Sequence, residues 1–368
     1  MKRDPALLIA VALGGLALPL PLGATSWTAA PLSLALWLAM VAASIFQMLR
    51  PLPTARAFGL LGIATLAGGF SLLKLVEAGA SGGEALALWT GLASLFFVVW
   101  RLLERAAMLD IEHPGIATLI AAPLIFGFWL LYVWQMLVMG FEVPGVLLPA
   151  PSVIWFAITG ARDTLAADFV QTFIKAVIPG FLIGSSAGFV TGLLVDRVPF
   201  LQRGLLPLGN LVSALPIVAI APIMVMWFGF DWQSKAAVVV VMTFFPMLVN
   251  TIAGLDALGR MERDLMATYA ASYGQTLSMA RIPAALPFVF NALKVNSTLA
   301  LIGAIVAEFF GTPIVGMGFR ISTEVGRMNI SMVWATIAVA AVAGSASYGL
   351  IVLAERRFTF WHASFRKP

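Results

Sequence analysis

DLMATYAASYGQTLSMARIPAALP, residues Asp264 to Pro287, is a polar-to-amphipathic segment set between long apolar stretches. Helical spacing places Leu265, Tyr269 and Ser272 on one stripe, with Met266, Ala270 and Tyr273 beside it. Asp264 favours a helix start through its charge, and Gly274 is the expected stop. A second short helix over 275–281 then meets Pro283, and Pro287 follows at the entry to the next apolar stretch, where proline costs little. A helix lying on lipid normally carries Lys or Arg along its polar face; 264–280 has neither. Its small residues Ala267, Ala270, Ala271 and Gly274 suit close packing in a protein groove instead. The segment reads as a handle for a soluble partner.

The rest of the chain is mostly apolar. Of 368 residues, 61% are hydrophobic and 11% charged, against about 25% charged in soluble domains. Apolar runs of about 20 residues recur, each long enough to cross ~30 Å of hydrocarbon, and backbone satisfaction in lipid makes them helices. The shorter alternating segments of a β-barrel are absent from the sequence. The fold class is therefore an all-α polytopic membrane protein. Ten spans are expected, at about 6–24, 31–49, 57–76, 85–102, 116–139, 171–195, 205–228, 236–255, 286–310 and 331–354. With the N-terminus inside, the inner segments carry Lys2, Arg3, Arg50, Arg56, Arg101, Arg105, Arg197, Arg203, Arg260, Arg263, Arg281, Arg356, Arg357, Arg366 and Lys367. The outer side has Lys74, Arg162, Lys235, Arg320 and Arg327. This bias predicts both termini, and the 256–285 loop, in the cytoplasm. The opening Met1-Lys2-Arg3 and apolar run resemble a signal peptide, but the run is long and lacks a small-residue cleavage site, so a retained first helix is expected.

The chain contains no cysteine, which removes disulfides, thiolate metal sites and cysteine nucleophiles. His113 and His362 lie in loop-like or terminal sequence and are not expected to form a paired metal site. The net charge of +5 comes from basic residues scattered at span ends, the membrane pattern rather than a nucleic-acid patch. No fixed-period repeat is visible. The polar stretch Glu104 to Pro114 is the expected boundary between a four-helix extension, 1–110, and a core, 111–368. Outside the membrane, Phe141 to Asp168 is broken by Pro149 and Pro151 and is expected to hold a short interfacial helix at 152–159. The glycine-rich loop Gly311 to Ile330 is expected to re-enter the membrane or lie on its surface.

Polar groups within spans are costly and so are pathway candidates. Glu308 is the sharpest, against the alternative of a carboxylate bonded to a neighbouring helix. Ser213 and Pro216, with Pro222, free backbone groups that are tolerable where they line a cavity. Asn296 and Ser297 serve either a pathway or helix–helix contact; Asn291 lies nearby, and Lys294 is expected to snorkel to the surface. Gly180, Gly184, Gly188 and Gly192 form a series at four-residue spacing that suits a packed partner helix.

Asp264–Pro287 resembles the conserved cytoplasmic loop of bacterial ABC importer permeases: Glu-Ala-Ala, three residues, Gly, nine residues, Ile-x-Leu-Pro. Counted back from Pro283, Asp264 stands at the Glu, Leu265 and Met266 at the two Ala, Ala270 at the Gly, Ala280 at the Ile and Ile282 at the Leu. LLPAPSVIW, ALPIVAIAPIMVMWFG (Ala214–Gly229), FFPMLVNTIAG (Phe244–Gly254) and IVAEFFG (Ile305–Gly311) resemble further segments of the family, in its nitrate, sulfonate, taurine and pyrimidine-precursor branch. The resemblance covers about 114–357 and implies a six-helix permease core behind four extra helices, in the bacterial inner membrane. It implies partners: a dimer of cytoplasmic ATPases carrying ATP and Mg, an external solute-binding protein, and a second permease copy, identical or related. The coupling helix would comprise Asp264, Leu265, Met266, Tyr269, Ala270, Ala271, Tyr273 and Gly274, with Pro283 beyond it. The chain lacks a G-x-x-x-x-G-K-[ST] phosphate loop and shows no nucleophile–base constellation, so it is read as a transport subunit without a cofactor of its own. The alternative is an ion-coupled secondary transporter, which would carry several intramembrane acids and a duplicated half; Glu308 stands alone and no duplication is visible.

Overall fold

A computed structural model describes residues 4–198, 200, 204, 217–311 and 314–361. Among them the structure is helical, with a single isolated β-bridge between Leu22 and Thr25. Among the described residues, eight helices are long and apolar enough to cross a membrane. The chain divides into two compact units, 1–154 and 155–368.

The first unit holds α1 (Pro5–Ala17), α2 (Pro31–Leu49), α3 (Thr54–Glu77), α4 (Leu86–Glu112) and α5 (Ile116–Gly140). α1 has 13 residues, about 20 Å, short of a full span. Pro19 and Pro21 cannot continue it, and the Trp27 indole donates to the carbonyl of Ala17 (3.3 Å). The expected span over 6–24 is thus a shorter helix and a turn. α4 runs through Glu112, so the polar stretch expected as a link is mostly helix. Contacts within this unit are of the kind apolar surroundings select: Trp37 Nε1 donates to Gly14 O (3.0 Å), Ser71 Oγ to Ser33 O (2.7 Å) and Ser94 Oγ to Ala10 O (2.7 Å). Tyr132 of α5 donates to Gly69 O of α3 (2.8 Å).

α6 (Pro151–Gly160) straddles the division and includes the expected 152–159 helix. The second unit continues with α7 (Arg162–Arg197), α8 (Ile217–Phe228), α9 (Trp232–Asp256), α10 (Arg260–Thr268), α11 (Tyr273–Glu308), α12 (Met317–Gly326) and α13 (Ile330–Phe358). α7 and α11 have 36 residues each, roughly 54 Å, which exceeds a bilayer with its headgroups. Each contains one π-helical stretch, Val170–Val177 in α7 and Leu277–Arg281 in α11. Each stretch ends two residues before a proline, Pro179 or Pro283. A proline lacks the donor for the preceding turn and crowds its carbonyl; a widened turn relieves both. Pro283 therefore does not separate two helices, as the sequence led one to expect. The helix passes through it.

α9 is the central helix of this unit, with α7 on one side and α11 on the other. The glycine series makes the first contact. A Cβ at Gly180 would lie 2.6 Å from Val239 Cβ, one at Gly184 2.6 Å from Val240 O, and one at Gly192 2.7 Å from Thr251 Cβ. Gly254 gives α11 the same approach, 2.9 Å from Ala285 Cα. α13 closes on α11, where Lys294 pairs with Glu355 (3.0 Å); Lys294 is an ion-pair partner rather than a snorkelling surface residue.

Candidate functional site

The expected handle is a helix, a four-residue turn and a second helix start, but its joints lie elsewhere than the sequence indicated. α10 begins at Arg260 and ends at Thr268, so Asp264 lies mid-helix instead of at its start. The stop is Ala270, not Gly274. Ala270 has φ +50°, and the Ala271 amide donates back to Met266 O (3.0 Å), a left-handed closure usually given to glycine. The chain restarts at Tyr273 because Ser272 and Gln275 cap each other: Ser272 N donates to Gln275 Oε1 (2.7 Å) and Gln275 N to Ser272 Oγ (3.4 Å). Gly274 thus lies inside α11, with open space where a Cβ would be.

No residue of α10 is buried. Met261 (82% exposed), Leu265 (54%) and Tyr269 (78%) follow one another at four-residue spacing and present one face. Beside them, Tyr273 donates to Asp196 Oδ2 (3.2 Å) and lies under the Arg197 guanidinium, 5.2 Å from the ring centroid. Arg281 makes a two-pronged pair with Asp196 (2.7 Å each) and donates to Leu255 O (3.2 Å). It joins the ends of α7, α9 and α11. Asp264, Leu265, Met266, Tyr269, Ala270, Ala271, Tyr273 and Gly274 are thus brought together at one end of the unit, with Pro283 just inside α11.

The other pathway candidates are not gathered in one place. Ser213 and Pro216 lie outside the described residues. Asn296 is buried mid-unit, donating to Ser185 Oγ (3.0 Å) and Thr243 O (2.7 Å), a tie among α11, α7 and α9. Ser297 bonds within its own helix to Lys294 O (2.8 Å). Glu308 stands at the far end, 3% exposed. It accepts from Thr172 Oγ1 (2.7 Å) and from the Gly318 amide (2.6 Å). Thr172 Oγ1 in turn accepts from Met317 N (2.8 Å), and Asp168 accepts from Gly316 N (2.8 Å) and Arg320 Nε (2.8 Å). These bonds hold the glycine-rich loop, including α12, against α7 and α11. The Asp168 carboxylate raises the Arg320 pKa above its ordinary value.

Sequence reasoning overlooked Asp168, Thr172, Asp196 and the bridging role of Arg281, and treated Lys235 as a loop charge. Lys235 is 1% exposed. Its ammonium donates to Phe230 O (2.5 Å) and to Gly311 O, holding the chain reversals at Gly229 (φ +84°) and Gly311 (φ +148°). An apolar-flanked lysine one turn into a span was the available signal. At the same end, Gln171 accepts from Lys175 (3.0 Å) and donates to Asp231 (2.7 Å). That amide, before other influences, holds the Asp231 carboxyl below its usual range. These three residues line a cleft of about 910 Å³ with Val170, Phe230 and Val315.

Comparison with known proteins finds transport permeases. Residues 180–360 match the family described as binding-protein-dependent transport system inner membrane component. The chain is 29% identical over 242 residues to the riboflavin transport system permease protein RibX of Chloroflexus aurantiacus, covering 64% of this chain and 88% of the relative. It is 29% identical over 243 residues to the formylaminopyrimidine transport permease protein ThiX of Halalkalibacterium halodurans, 65% of this chain and 95% of the relative. The taurine transport system permease protein TauC of Escherichia coli is 28% identical over 200 residues, 54% of this chain and 70% of the relative. The chain is thus a multi-pass inner membrane protein whose residues 180–360 match the inner membrane component of binding-protein-dependent transport systems, as its permease relatives do.

Proposed function

We propose that this permease forms the translocation pathway of an ATP-driven importer and couples it to a separate cytoplasmic ATPase dimer through α10 and the start of α11. The observation that carries the reading is the bare face of α10: Met261 and Leu265, with Tyr269 at the C-terminal cap, are exposed side by side on a helix with nothing buried. Such a helix is stabilised by a groove that covers it. ATP and Mg belong to the partner, an external solute-binding protein delivers the solute, and a second permease copy, identical or related, completes the pathway. The lysine and arginine bias places both termini and α10 in the cytoplasm. The solute is a small compound such as a sulfonate, nitrate, carboxylate or pyrimidine-type molecule; the formylaminopyrimidine and taurine named in two relatives fall in two of these classes. The first 110 residues are an extension to a core beginning near residue 111. The ion-coupled alternative calls for several intramembrane acids and a duplicated half, and the one acid singled out, Glu308, has its carboxylate engaged by Thr172 and Gly318.

The test is reconstitution with the ATPase. The complex is expected to hydrolyse ATP, and Leu265→Asp or Gly274→Glu to weaken ATPase docking at least tenfold in a direct binding measurement. Docking that is insensitive to both changes, or uptake that proceeds without any ATPase, refutes the reading.

A further inference from the structure

α7 and α11 run antiparallel and share three polar ties. Down α7 they are Asp196, Ser185 and Thr172; up α11 they are Arg281, Asn296 and Glu308. The middle tie also reaches α9 through Thr243 O, and the first reaches the end of α9 through Leu255 O. The last tie continues through Gly318 and Met317 into α12. Both outer ties fall at or beside a π-helical stretch, and such stretches are local departures from the regular ladder that recur at functional sites. Arg281 and its partner Asp196 are the members of this series that stand beside the docking segment. Arg281 is the last residue of the π-helical stretch that follows Tyr273, and it shares Asp196 with Tyr273.

We propose that Arg281 is the positioning residue that converts displacement of the docking helix into movement of α7, α9 and α11 together, so that the opposite end, with α12, follows. The proposal rests on the ATP-driven reading above and adds the route. A guanidinium fork on a carboxylate fixes direction as well as distance, so pushing on Tyr273–Thr276 carries the end of α7 with it. The distal end is bonded through Glu308 and Thr172 to the loop at 316–318, which therefore moves with the same bundle.

The chain has no cysteine, so a single environment-sensitive fluorophore can be placed at Val325→Cys, an exposed position of α12 (48%). The full-length permease is assembled with its ATPase in lipid nanodiscs and given ATP, Mg and vanadate. The labelled protein without further change is expected to show a nucleotide-dependent emission shift. Arg281→Gln is expected to keep ATP hydrolysis within about threefold while reducing that shift at least tenfold. The exchange Asp196→Arg with Arg281→Asp is expected to restore at least half of it. A complex that neither binds nor hydrolyses ATP before Arg281 is changed refutes the ATP-driven reading itself. Hydrolysis with no emission shift in that same protein overturns the route, and so does an undiminished shift in Arg281→Gln. Loss of hydrolysis together with the shift makes Arg281 a docking brace and likewise overturns the proposal. Arg281→Lys keeps the charge but loses the fork and covers the case in which Arg281→Gln fails to assemble. If neither assembles, Arg281 is a determinant of folding and the proposal falls.

Discussion

Ala270 shows how one residue can carry a family's backbone while lacking its side chain. The motif resembled in the sequence has glycine there, and the structure holds this alanine at φ +50°. A left-handed L-residue costs about 1–2 kcal/mol, partly offset because alanine loses less freedom than glycine on ordering, by about 0.5–1 kcal/mol. Ala270→Gly is therefore expected to stabilise the turn by about 0.5–1 kcal/mol, which corresponds to amide exchange roughly two- to fivefold slower at Tyr269, Ala270 and Ala271. Faster exchange at those amides would show that the turn is not strained. Glu308 presents the opposite case, a buried side chain whose every oxygen is used. In Glu308→Gln one acceptor becomes an amide NH2; it faces either the Gly318 amide or the Thr172 hydroxyl, whose proton then has no acceptor. Leaving a buried donor unpaired costs about 1–3 kcal/mol. The variant is expected to have a lower melting temperature in detergent, with faster exchange confined to residues 314–326. An unchanged melting temperature with altered transport would instead return Glu308 to the translocation pathway.

At the scale of elements, the sequence disclosed what has a period or a strong composition, and concealed what depends on a distant partner. The long apolar runs announced the spanning helices, and four-residue glycine spacing announced the close packing of α7. That packing is unforgiving, because a Cβ at Gly184 would stand 2.6 Å from the backbone carbonyl oxygen of Val240, which cannot swing aside as a side chain does. Gly184→Leu must separate α7 from α9, and overpacking costs about 1–3 kcal/mol even where side chains can yield. Loss of monodisperse protein in gel filtration is expected, while Gly349→Leu, with nothing within 4 Å, is expected to behave as the parent. The joints of the docking segment were misplaced for a physical reason. Gly274 and Pro283 look like punctuation, yet Gly274 is spanned by a Ser272–Gln275 capping box and Pro283 is absorbed by a π-helical turn. The Ser-x-x-Gln pattern was there to be read; the widened turn was not, since a proline reads equally as a helix break. The same holds for Asp196 and Arg281, 85 residues apart, and for Asp168 and Arg320, 152 apart.

The whole molecule poses a question of division. About two-thirds of this chain aligns with relatives that are themselves covered almost end to end, 64% against 88% for RibX and 65% against 95% for ThiX. The remaining third has no counterpart in those alignments. Within the first unit, the buried apolar cluster draws on α1 to α5; within the second, the clusters among the described residues draw on residues beyond 168. Every group assigned to docking or to its transmission, from Thr172 to Arg320, belongs to the second unit. Docking is then expected not to need the first four helices. A chain reduced to residues 111–368 is expected to bind the ATPase within about threefold of the full chain. It is also expected to melt lower, because α5 loses α3 and α4 and with them the Tyr132–Gly69 bond, worth about 1 kcal/mol with its share of packing besides. Binding titrations and melting curves on both proteins separate the two effects. Docking lost by more than tenfold in a truncated chain that is still helical and monodisperse would place part of the docking machinery in the extension.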